Sequence, residues 1–144
     1  MTREELIALA VQTARAYELD PRLVCAVCEQ ESSFNPFAIR FEPAFLSRYV
    51  LPLNLGSRTE ETARAFSWGI MQVMGQVARE HGFKGQFLSM LCEPVAGLDI
   101  GCRVLRSKLN SHPSTVTAGL LAYNGGGNKE YATGVIEKMS NYAI

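Results

Sequence analysis

The run Pro21-Arg22-Leu23-Val24-Cys25-Ala26-Val27-Cys28 constrains this chain more than any other stretch. Leu23, Val24, Val27 and Cys28 recur at helical spacing, and the residues between them are also mostly apolar. A helix that is apolar on most of its circumference cannot lie on a surface. It predicts a central buried helix around which the rest must pack. Asp20 is a natural cap for its start and Pro21 a natural first residue. The helix runs toward Glu31 and stops before Pro36, so a carboxylate stands where a buried helix meets a loop. An acid placed there can be partly desolvated and still face a cleft, the setting that raises a carboxyl pKa toward neutrality. Read alone, Glu31 is equally well a solvated surface glutamate at a helix end.

The remaining helices follow from caps and periodicity. Thr2 and Glu5 form a capping box ahead of Leu6, Ile7, Ala10, Val11 and Ala14, predicting a helix over 3–17. Further helices are predicted over 60–66, 68–80 and 87–91, then from Glu93-Pro94 to about Ser111, over 115–123 and over 129–141. Asn124-Gly125-Gly126-Gly127 is a strong breaker between the last two. Residues 35–58, with Pro36, Pro43, Pro52 and Gly56, predict a long irregular loop with a short helix near 42–49. No segment alternates convincingly with a period of two, so the expected fold is all-α or nearly so, with room for a small strand pair in the loop. The 144 residues fit one domain spanning 1–144.

Composition excludes several function classes. Hydrophobic residues make up 47%, charged residues 19%, and the formal net charge is 0 with no basic run. That describes an ordinary globular chain and argues against a nucleic-acid partner. No apolar stretch approaches the ~18–20 residues of a membrane span. The N-terminus opens an amphipathic helix, not a signal sequence. The expectation is therefore delivery by another route, as in phage-type lysis or a secretion machine, or a leader trimmed away. Cys25-x-x-Cys28 lies inside the apolar helix, and Cys92, Cys102, His81 and His112 are remote in sequence. The cysteines read as small buried hydrophobes, with a distant disulfide left open and no metal or cofactor expected.

Three motifs then carry a resemblance. Glu31-Ser32-Ser33-Phe34-Asn35-Pro36, Gly69-Ile70-Met71-Gln72 and Ala122-Tyr123-Asn124-Gly125-Gly126 stand in that order. They resemble the E-S-x-F-N-P, G-L-M-Q and A-Y-N-A-G motifs of soluble lytic transglycosylase catalytic domains, within the goose-type lysozyme superfamily. The resemblance runs from about Leu6 to Tyr142 and is poor only across 40–66. It implies a lysozyme-like helical domain that binds peptidoglycan glycan strands as a monomer and acts in the cell wall or periplasm. It implies that Glu31 protonates the glycosidic oxygen between N-acetylmuramic acid and N-acetylglucosamine. Glu31 then serves as base on the muramoyl 6-hydroxyl, which closes a 1,6-anhydro ring. One acid does both jobs, unlike the usual pair of glycosidase carboxylates. Glu29, two residues away, points to another side of the helix.

The same resemblance implies that Ser32, Met71, Gln72, Tyr123, Asn124 and Tyr131 contact or line the substrate site, with Tyr123 beside the catalytic acid. Core packing accounts equally well for Met71 and Tyr131, and a bare turn for Gly125–Gly127. Among the aromatics Trp68 is the foremost candidate for stacking on a sugar, ahead of Phe34, Phe41, Phe45 and Tyr49. The chain departs from the family at Arg40, where a serine is expected, and Ser67 is the candidate substitute. Gly97 replaces an asparagine and Val104 a tyrosine. The longer link brings Glu42, which has two readings. It pairs with Arg40 or Arg48, or it enters the cleft as a possible second acid that positions water or tunes Glu31. Hydrolysis, and a glycan-binding module without activity, are the competing functions.

Overall fold

The computed structural model describes residues 1–126 and 128–144; Gly127, the last of the glycine run, lies outside them. Helix α1 (Arg3–Ala16) opens with the expected capping box, Thr2 accepting from the Glu5 N–H and Glu5 from the Thr2 N–H. Helix α2 (Pro21–Ser32) is capped by Asp20 and buries six consecutive residues, Leu23 to Cys28. That burial is what an all-round apolar helix demands, and α1 and the C-terminal helix α8 (Lys129–Lys138) pack against it. Cys25, Cys28 and Cys102 are buried with it, Cys92 is partly so, and all four thiols are free. Burial pushes the Cys25 thiol up to about 11 and Cys102 to about 12, so both stay protonated as small core residues.

The long loop is more ordered than its prolines suggest. Strand β1 (Ile39–Phe41) leads into a helical stretch that begins as α3 (Pro43–Phe45). It continues through a π-helical turn, Leu46–Val50, and a 3-10 turn, Leu51–Leu53. Helix α4 (Arg58–Arg64) follows. Strands β2 (Phe66–Trp68) and β3 (Val73–Met74) complete an antiparallel sheet in the order β1-β2-β3. Arg40 pairs with Ser67, and Ser67 with Met74.

The helix expected over 68–80 is corrected here. Residues 66–74 form a hairpin, and only α5 (Gly75–Glu80) is helical. The backbone reverses at Gly69 (φ 71°) and Gln72 (φ 51°), both left-handed and incompatible with a continuing helix. Ile70 and Met71 are fully buried at the tip of this turn. Their apolar character comes from a turn driven into the core, which mimics one face of a helix in sequence.

After a 3-10 turn at Leu88–Cys92, helix α6 (Pro94–Ser111) is capped by Glu93, which accepts from the Val95 and Ala96 N–H groups. Helix α7 (Val116–Tyr123) packs on α6, and α8 follows. Gly97 and Gly101 let α6 lie directly on the hairpin region. A Cβ at Gly97 would meet the Leu91 carbonyl oxygen at 2.6 Å, and one at Gly101 would overlap the Met71 side chain.

Gly69 is the tightest point of the hairpin. A Cβ there would meet the Leu91 carbonyl oxygen at 2.5 Å, on a backbone that already disfavours an L side chain. Gly69→Ala is expected to cost about 2–4 kcal/mol. In a thermal melt that is a fall of roughly 5–10 °C in Tm for a chain of this size.

Candidate active site

The end of α2 is built to hold Glu31. Ser33 (φ 53°) and Phe34 (φ 60°) are consecutive left-handed residues, unusual for a serine and more so for a phenylalanine. Their N–H groups turn back to the Glu29 and Cys28 carbonyls, at 3.0 and 3.2 Å. Phe34 is buried, with the Arg3 guanidinium 4.8 Å from its ring centroid. The Ser32 hydroxyl donates to the Ile70 carbonyl at 2.8 Å and also lies 3.2 Å from that of Cys28. Ser32 therefore ties the helix end to the hairpin tip, and the structure does not bring it to the cleft as a substrate contact.

Glu31 lies in the last turn, mostly withdrawn from solvent, and accepts a hydrogen bond from the Tyr131 hydroxyl at 2.9 Å. Burial raises its carboxyl from 4.5 to about 7, while the Tyr131 bond, which favours the charged form, pulls it back down. Tyr131 comes from α8, where Gly134 lets the helix close on Gln30 of α2. Glu29 faces elsewhere. It accepts from the Tyr142 hydroxyl at 2.6 Å and from Asn141, which fastens the C-terminal segment to α2.

Glu31 opens onto a cleft of about 540 Å³ that gathers Glu42, Ser67, Gln72 and the adjacent Tyr123 and Asn124 from four separate segments. Strand alternation decides which part of the sheet faces it. The paired positions Arg40, Ser67 and Met74 line the cleft, and the Ser67 hydroxyl reaches the Met74 sulfur at 3.1 Å. Trp68, one residue on, takes the other face and donates its indole N–H to the Ala63 carbonyl at 2.8 Å. Trp68 thus does not line the cleft; Phe45 and Tyr123 are the aromatics that do. Arg40, at the position where a serine was expected, and Ser67, the suggested substitute, are neighbours on this one surface.

Both Gln72 amide hydrogens are engaged by the Ala38 and Gly69 carbonyls, each at 2.9 Å. Because both partners are acceptors, the nitrogen must face them, leaving the amide oxygen as the acceptor available to a ligand. Tyr123 donates to the Met71 carbonyl at 2.7 Å and not to Glu31; Tyr131 has the contact with the acid. Met71 is fully buried and contributes its carbonyl, not its side chain. Glu42 fits both of its readings, lining the cleft while pairing with Arg40 at 2.9 Å. Sequence reasoning missed Lys108, which also lines the cleft. The available signal was the stripe Gly97, Gly101, Val104, Lys108, which keeps one face of α6.

A larger, more apolar cavity of about 910 Å³ lies beside Met1, Phe34, Phe37 and Pro94. Its one acid, Glu93, is occupied in capping α6. Glu31, by contrast, faces its cleft with Tyr131 as its hydrogen-bond partner.

The family model for the transglycosylase SLT domain matches residues 8–139. The chain is similar to membrane-bound lytic murein transglycosylase C of Cronobacter sakazakii, 26% identical over 156 residues, covering 93% of this chain and 37% of that protein. The protein of the same name from Mannheimia succiniciproducens is 27% identical over 155 residues, covering 92% and 37%. That of Salmonella typhimurium is 27% identical over 151 residues, covering 96% and 34%. The chain spans about a third of the length of these relatives. No solved structure matches at the stringency they meet.

The raised Glu31 pKa has a defined effect on stability. Below about 4.5 the carboxyl is protonated in both folded and unfolded chains and contributes nothing. Between 4.5 and about 7 only the unfolded chain ionises, so folding is progressively penalised, and above about 7 the penalty is complete. Glu31→Gln is therefore expected to stabilise the protein by about 1–3 kcal/mol at pH 8 and to be near neutral at pH 4. Carboxyl ¹³C NMR should give a Glu31 midpoint near 7. Tyr131→Phe should move that midpoint upward, because the lost bond favoured the charged form.

Proposed function

The chain belongs to the transglycosylase SLT domain family, and on that premise we propose that it cleaves the β-1,4 bond between N-acetylmuramic acid and N-acetylglucosamine in peptidoglycan, leaving 1,6-anhydromuramoyl ends. The observation that carries this reading is the Glu31 carboxyl, desolvated to a pKa near 7 in a cleft and held by Tyr131. An acid that must first give a proton and then take one works best when neither form is strongly favoured at the working pH.

The steps follow from that titration. Protonated Glu31 donates to the glycosidic oxygen as the bond to the anomeric carbon breaks and positive charge develops on the sugar. The resulting carboxylate takes the proton of the muramoyl 6-hydroxyl. That oxygen attacks the anomeric carbon and closes the anhydro ring, so no water is consumed and Glu31 is protonated again. Tyr131 holds the carboxylate's orientation through both transfers. The free Gln72 oxygen accepts from an N-acetyl N–H or a sugar hydroxyl, and Phe45 offers an apolar face to a pyranose. Glu42 is the other carboxylate lining the cleft among the described residues, and Arg40 holds it in an ion pair. That pairing favours a one-carboxylate mechanism over hydrolysis assisted by a second acid. The place of action on this reading is the murein layer; among the described residues no helix is long and apolar enough to cross a membrane.

Mass spectrometry of digested peptidoglycan tests the chemistry. Products lighter by one water are expected, whereas reducing muramic ends would identify a hydrolase. Glu31→Gln should lower the rate by about 10²–10⁴ or more with the helical circular-dichroism signal unchanged. Full activity in that variant would overturn Glu31 as the acid of the reaction. Glu42→Gln is expected to give the same products.

A further inference from the structure

The cleft carries more positive charge than the mechanism uses. Arg40 and Lys108 both line it, against Glu42 and a Glu31 that is largely protonated below about 7. Arg40 is neutralised by Glu42. Lys108 forms no ion pair among the described residues. The excess is local, since the whole chain has a formal net charge of 0.

Lys108 reaches the cleft because of its place on α6. Gly97 and Gly101 press that face of the helix onto the hairpin region, and Val104 and Lys108 continue the same stripe into the opening. A cation in the last turn also suits the helix dipole, but the dipole does not require it to face the cleft. Arg106, two residues earlier and so on another side of the helix, instead bonds the Glu18 carbonyl and Asn110. A half-buried ammonium without a carboxylate partner has lost part of its hydration, which an anionic ligand would restore. The Glu31 carboxyl is governed by burial and by the Tyr131 hydrogen bond, with no contribution from Lys108.

We propose that Lys108, beside the Arg40 guanidinium that Glu42 holds in place, forms a carboxylate-reading subsite, and that it makes the enzyme prefer glycan strands whose muramoyl substituents are negatively charged. This rests on the glycan-cleaving function proposed above. The carboxylate has two sources, the lactyl group itself and the peptide attached to it.

The test measures kcat/KM of the full chain on three purified substrates. These are peptide-bearing strands with free carboxylates, the same strands with those carboxylates converted to primary amides, and strands stripped of peptide that keep only the lactyl carboxylate. The wild type should favour the first over the second by about tenfold at low salt, the size of one charge-assisted contact. Lys108→Gln should bring that ratio to within about twofold, mainly through KM, and Lys108→Arg should restore it, with thermal melts establishing that each variant is folded. If the stripped strands behave like the free-carboxylate ones, the subsite reads a lactyl carboxylate as well as a peptide one; if they behave like the amides, it reads the peptide carboxylate alone. Equal wild-type efficiency on free and amidated strands, or an undiminished preference in Lys108→Gln, would overturn the subsite alone. Failure of the wild type to cut any of the three would instead overturn the glycan-cleaving reading beneath it.

Discussion

Six consecutive residues of α2, Leu23 to Cys28, are out of water, and a helix with no wet face cannot rotate without exposing part of itself. That constraint fixes the direction in which the last turn points. It also sets the proton affinity of the acid at the end of the helix. The same packing that locks α2 strips water from Glu31, and desolvation is the first cause of its raised pKa. Location and proton affinity of the acid are thus two results of one burial.

Around this helix the protein holds its unusual backbone where the site needs it. Ser33 and Phe34 leave α2 through two left-handed residues, with Phe34 sunk beneath Arg3. Gln72 is left-handed at the close of the hairpin turn, and its side chain is clamped by two carbonyls. Each conformation costs on the order of 1–3 kcal/mol and persists because buried neighbours leave no alternative. Ser32 links the two places by bonding Ile70. Helix end and hairpin turn are therefore tied directly together, which holds the acid and the Gln72 oxygen in one frame.

The small sheet changes what the long loop means. By sequence it is an insertion with prolines and a stray acid. In the structure β1 brings Arg40 beside Ser67, and Glu42 folds back onto Arg40. The loop supplies one charged side of the cleft, while α6 supplies Val104 and Lys108. The cleft thus sets a polar, charged rim against an acid in a drier position.

The helices and the acid were legible because their signals are local. Thr2 with Glu5, Asp20 with Pro21 and Glu93 with Pro94 mark starts that depend only on nearby backbone groups. Glu31 was marked by an apolar helix ending before a proline, and by its motif. The hairpin was not legible, since strands of three and two residues are too short to show alternation, and the buried Ile70 and Met71 imitate a helical face. Nor could sequence assign the polar partners. Which tyrosine bonds Glu31, which carbonyls hold Gln72 and which face Trp68 takes are set by how distant segments pack. Sequence by itself determined the helical frame and the acid at the end of its central helix, because capping and periodicity act over a few residues. Only the tertiary structure decided the acid's partners and the charge around it, because hydrogen bonds and ion pairs form between side chains that the chain brings together from up to 113 positions apart.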